Sequence, residues 1–163
     1  MHLGGKQVFS RIALGLSLML MPFTAFSKDM QGRLGLGYNS EFVNSTPSVS
    51  LKYGLTRDFA GDVIFGVRTG TPSNSVLATK FYKNIFYETN LNFYFMAGLG
   101  LIKANTQAGY EILGGFGAEF FIPGIESLGF SVETGGSFST LGSQSTFRTL
   151  GVSFLDAGIH FYF

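Results

Sequence analysis

Few side chains in this 163-residue chain have chemical capacity: 13% are charged and none is Cys. Zero Cys removes a disulfide scaffold, a thiolate metal site and a cysteine nucleophile. One candidate reactive group is His160, since the only other His is His2. A hydrolytic role needs a Ser and a carboxylate within hydrogen-bond reach of the ring. Asp156 lies on the same strand face, but roughly 13 Å away at about 3.3 Å per residue, too far to orient it. His160 is therefore expected to fill one end of an interior, close to Arg33, and no enzymatic activity is expected. The acids Glu111, Glu119, Glu133 and Asp156 could form a metal or acid–base cluster. Five bases, Arg33, Lys52, Arg68, Lys80 and Arg148, share their strand parity, so a self-neutralising network of ion pairs, with Glu133 as its hub, is the expected use. Neither metal nor cofactor is expected. The Gly-x-Gly pairs at 35/37, 98/100 and 115/117 lie inside alternating segments rather than between a strand and a helix, which removes a phosphate-binding turn.

The elements that must position these residues follow from composition. The chain is 45% hydrophobic with 23 Gly, 19 Phe, 7 Tyr and a net charge of +1, a balance that excludes disorder and a basic nucleic-acid surface. Residues 1–27 have the layout of a secretory signal: Lys6 and Arg11, an apolar run Ile12–Met21, then Pro22 and the small-residue exit Ala25-Phe26-Ser27. Cleavage after Ser27 is expected. The remaining 28–163 form one domain carrying nine Lys and Arg against ten Asp and Glu. Its longest stretch without a strongly polar residue is Phe93–Ile102, about half of the roughly 20 residues that a membrane-spanning helix requires.

Apolar surface can otherwise enter lipid only on a closed barrel, whose strands alternate apolar-out with polar-in. Eight segments alternate in this way. Leu34, Leu36 and Tyr38 oppose Gly35 and Gly37; Val49, Leu51, Tyr53 and Leu55 oppose Lys52 and Gly54; Val63, Phe65 and Val67 oppose Ile64, Gly66 and Arg68; Leu77, Thr79 and Phe81 oppose Lys80 and Tyr82. The other four run through Leu91–Leu101, Tyr110–Phe120, Leu128–Gly135 and Phe154–Phe163. Charge falls on one parity only, the reverse of a soluble half-buried sheet. Most strand glycines share that parity, leaving room for long inward side chains. The expectation is an all-β protein: an eight-stranded antiparallel up-and-down transmembrane barrel with a packed lumen. Short polar connections are expected at 40–46, 56–61, 70–75, 83–89, 103–107, 122–127 and 139–146.

The terminal run Gly158-Ile159-His160-Phe161-Tyr162-Phe163, with Phe last and apolar residues at alternate positions, resembles the C-terminal signal of bacterial outer-membrane barrels. The segments Leu91–Leu101, Gly117–Phe121 and Leu128–Glu133 resemble small outer-membrane barrel proteins of the OmpA/OmpX type. The resemblance implies residence in a Gram-negative outer membrane, contact with its lipids and lipopolysaccharide, and assembly by the barrel-insertion machinery, which reads Gly158, Ile159, Phe161, Tyr162 and Phe163. It implies a monomer with a structural or surface-interaction role. A lipid-modifying enzyme, a narrow channel and a soluble lipocalin-like barrel are the alternatives; the family pattern of a lipid A deacylase, His followed two residues later by Ser, is absent because position 162 is Tyr.

Overall fold

Side chains that alternate between two environments demand an extended backbone, and an extended backbone must find ladder partners on both edges. The computed structural model, which describes residues 29–150 and 155–163, satisfies this by closing on itself. The segment 1–27 read as an export signal lies outside the described residues, as do Gly151 and Phe154.

The strands are β1 (Leu34–Asn39), β2 (Ser48–Gly54), β3 (Phe59–Arg68), β4 (Asn74–Glu88), β5 (Leu91–Ala104), β6 (Gln107–Ile122), β7 (Ile125–Leu141), β8 (Gln144–Thr149) and β9 (Asp156–Tyr162). Each pairs antiparallel with its predecessor from β1 through β8, and β9 bridges β7 to β1. β8 and β9 are the two halves of one stave, both lying along β7, so the wall is an eight-stranded antiparallel barrel. Between the halves, the chain advances from Thr149 to Asp156 while β7 advances only from Gly136 to Glu133. The two halves are therefore offset in register. Leu150 donates its N–H to Gly135 O at 3.0 Å and is fully buried.

Three differences from the sequence pattern have physical causes. Strands β4 to β7 extend well beyond the alternating apolar stretches, through the 83–89, 103–107 and 139–146 regions expected as connections. Backbone pairing does not require apolar side chains, so these ribbons continue until a tight turn ends them; Asn90, Asn105, Gly124 and Gly142 supply the positive φ such turns need. The last stave is two strands, β8 and β9, whose registers against β7 are offset. The 40–47 connection is not a surface loop: Glu41 and Phe42 are 1% and 2% exposed, and the segment folds into the barrel.

Buried side chains of the wall and of the infolded segment pack inside the barrel. Phe42 joins Ile64, Val76, Ala78, Tyr82, Tyr94, Met96, Ile102, Leu113 and Leu150 in one buried cluster, and Tyr162 packs with Met30 and Phe121 in a second. Glycine makes this packing possible at two places. A Cβ on Gly100 would stand 2.6 Å from the Phe42 ring, and one on Gly35 would stand 2.6 Å from the Tyr162 ring.

Candidate functional site

Alternate positions on six staves deliver charge to the buried interior. From β4, Lys80 reaches Glu133 of β7 at 2.5 Å and Glu41 of the infolded segment at 2.7 Å. Tyr94 of β5 donates its hydroxyl to Glu133 Oε1 at 2.7 Å, so Glu133 holds one ammonium and one phenol. From β2, Lys52 pairs with Glu119 of β6 at 2.9 Å, and Tyr162 of β9 donates to the other Glu119 oxygen at 2.5 Å. Nearer the infolded segment, Arg148 of β8 pairs with Glu111 of β6 at 3.0 Å and also donates to Glu41 O. Glu111 in turn accepts the Val43 N–H at 2.7 Å. The segment 40–47 is thereby fastened to three staves. Lys52 also lies 4.3 Å from the centre of the Tyr82 ring, where its charge meets the π face.

His160 has a different neighbourhood from the one expected. Its Nε2 lies 2.7 Å from Ser50 Oγ, and Ser50 lies 2.7 Å from both carboxylate oxygens of Asp62. Arg33 is not its partner. Ser50 has one hydroxyl proton, and an ionised Asp62 can only accept. If Ser50 donates to Asp62, His160 must carry its proton on Nε2 and donate to Ser50. The Nδ1 atom is then left bare, 4.0 Å from Glu119 Oε1 and without a hydrogen bond. Asp62 also accepts from Tyr82 at 3.2 Å. Ser50, Asp62 and His160 are 0%, 2% and 5% exposed.

The expected balance of bases and acids also changes. Arg68 is exposed at the end of β3, where the wall stops and parity no longer means inside. Arg33, half-buried just before β1, forms no ion pair among the described residues. Two acids the sequence reading missed join instead, Glu41 and Asp62. Asp62 was legible: it has the parity of Ile64, one step further along the same strand. Glu41 carried no such signal, because it belongs to a connection. The described lumen thus holds Glu41, Asp62, Glu111, Glu119, Glu133 and the half-buried Asp156 against Lys52, Lys80 and Arg148. By formal charge, six acids face three bases.

The terminal residues divide by face. Ile159, Phe161 and Phe163 point out, whereas His160 and Tyr162 point in, with Gly158 half-buried beside Ser131. Compared with protein-family models, with curated proteins and with solved structures, the chain matches none.

Proposed function

We propose that this chain is an integral outer-membrane barrel of the bacterial envelope, a monomer with a filled lumen and a structural or surface-interaction role. The observation that carries the reading is the inversion of polarity. Leu36, Leu51, Phe65, Leu77, Phe95, Leu101, Phe116, Val132 and Ile159 are each 39% or more exposed, and they form a belt over the wall. Lys52, Lys80, Glu111, Glu119 and Glu133 are buried. A protein in water exposes no contiguous apolar surface of this extent and does not collect its charges inside. A bilayer selects this arrangement, since a Lys or Arg facing lipid at mid-depth costs about 2–4 kcal/mol. Exposed charges gather at turns and strand ends, at Asp29, Arg57, Asp58, Arg68, Glu88, Lys103 and Glu126; the exception among the described residues is Lys83, exposed within β4 between Phe59 and Phe95. The turn and strand-end positions fit two aqueous rims.

A filled lumen favours a scaffold over a conduit, and a Ser50 without accessible surface favours a structural hydrogen-bond chain over a hydrolase. Lipids and lipopolysaccharide would cover the belt, and the barrel-insertion machinery would read the terminal Phe163 and the alternate apolar residues before it. The test is fractionation of cells expressing the whole chain, followed by carbonate washing and a gel run with and without boiling. The expected result is retention in the washed outer-membrane fraction and slower migration after boiling. Release into the soluble fraction would overturn the reading.

A further inference from the structure

We propose that Glu41, Glu133 and Asp156 form a site for one divalent cation with a preference for oxygen ligands, Ca²⁺ or Mg²⁺, which fastens the infolded segment 40–47 to the last stave. The three carboxylates come from three parts of the chain: the segment between β1 and β2, mid-β7 and the first residue of β9. Each offers an oxygen, and these oxygens lie within 4.8 Å of one another. Oxygens bound to one Ca²⁺ at about 2.3–2.6 Å are separated by no more than about 5 Å, so the spacing already suits a shared ion.

Two further observations point to a ligand. The first is an orphan atom. Glu41 is 1% exposed, its Oε1 is held by Lys80 at 2.7 Å, and its Oε2 has no hydrogen-bond partner. A carboxylate oxygen buried without a partner is costly. The second is charge arithmetic. Elsewhere in the lumen, Glu111 is matched by Arg148 and Glu119 by Lys52, while Asp62 lies 4.0 Å from His160 and accepts from Ser50 and Tyr82. At the cluster, three carboxylates share one ion-paired cation, Lys80, and Asp156 has no ion pair among the described residues. Arg148, committed to Glu111, is the other cation near Asp156. Three negative charges and one positive leave two, the charge of one divalent ion. All the donors are hard carboxylate oxygens, with neither His nor Cys among them, which favours Ca²⁺ or Mg²⁺ over zinc or copper. Water would complete the shell, as is usual for such ions.

The site explains a structural coincidence. Asp156 opens β9, whose register against β7 is offset from that of β8, and Glu41 lies in the segment that leaves the wall after β1. Both features meet at Glu133, and an ion there would hold them together.

The test uses the whole folded chain in detergent micelles, stripped with EDTA and titrated with Tb³⁺, whose luminescence is sensitised by a nearby tyrosine. Tyr94, bonded to Glu133, is placed to do this. The expected result is saturable binding of one Tb³⁺ that Ca²⁺ displaces, with unfolding of the stripped protein at lower temperature than that of the Ca²⁺-loaded protein. Asp156→Asn, nearly isosteric at a half-buried position, should weaken binding at least tenfold and remove the Ca²⁺-dependent shift, and Glu41→Gln should do the same. Glu88→Gln at an exposed position should change neither. Absence of saturable binding, or binding unaltered by Asp156→Asn and Glu41→Gln, would overturn the proposal. So would equal stability with and without Ca²⁺, which would assign the excess charge to protons. Membrane retention is read separately, so failure here leaves the envelope reading standing.

Discussion

Lys80 Nζ stands 2.5 Å from Glu133 Oε2, and the two side chains keep only 1% and 5% of their surface exposed. At that depth a carboxylate and an ammonium sustain each other, because either one alone would be a bare charge in a medium of low polarity. Glu133→Ala leaves Lys80 with only Glu41 and removes the acceptor of the Tyr94 hydroxyl. The expected loss is about 3–5 kcal/mol, read as a lower urea midpoint for the barrel folded in detergent or vesicles. An unchanged midpoint would remove Glu133 from the centre of the network.

The Phe42 ring occupies space that only a glycine at position 100 leaves open, since a Cβ there would lie 2.6 Å from Phe42 and 3.1 Å from Ala78. Phe42→Ala should cost about 3–5 kcal/mol as a core truncation. Gly100→Ala should also destabilise, by overpacking. The two together should cost clearly less than their sum, because removing the ring gives the new methyl room. Additive losses would mean that Phe42 does not sit on Gly100.

Ser50 lies between His160 and Asp62 and has no exposed surface. A serine-reactive fluorophosphonate is therefore expected to leave it unmodified in the folded protein, as judged by mass spectrometry. Ser50→Ala should destabilise by about 1–3 kcal/mol, because His160 and Asp62 both lose a buried partner. A covalent adduct on Ser50 would show a reachable nucleophile and reopen the enzymatic alternative.

Leu99 is 51% exposed on the outer face of β5, midway along that strand. Leu99→Arg should cost about 2–4 kcal/mol in a bilayer, measured by reversible unfolding in lipid vesicles. A change within about 0.5 kcal/mol, the usual range for a surface site in water, would mean that this face does not meet lipid.

How much of this was legible in the sequence depended on whether a residue belonged to the wall. Along β5, from Leu91 to Leu101, each side chain's face followed from parity alone, because a pleated strand offers no other choice. The same rule reached Lys52, Lys80, Glu111, Glu119 and Glu133. It failed at strand ends, where Arg68 has inward parity but no wall around it. Parity also could not reach Glu41 and Phe42, whose direction is set by an infolded connection held through Lys80, Glu111 and Arg148. Those contacts join positions as distant as Val43 and Glu111, and no local pattern encodes them. The offset between β8 and β9 was hidden for a related reason: a change of register leaves composition unchanged. The partner of His160 is equally remote from any local pattern, since the ring crosses the lumen to Ser50 of β2.

The most direct test of the central claim, an apolar face toward lipid and a charged face toward a packed lumen, is a spin-label scan. The described residues contain no Cys and the whole chain has none, so single cysteines can be placed from Phe93 to Leu101 without background. With the protein in lipid vesicles, accessibility to dissolved oxygen should rise at 93, 95, 97, 99 and 101 and fall at 94, 96, 98 and 100. A polar nickel relaxant should reach neither set. Nickel access at the odd positions would place that face in water and contradict the account.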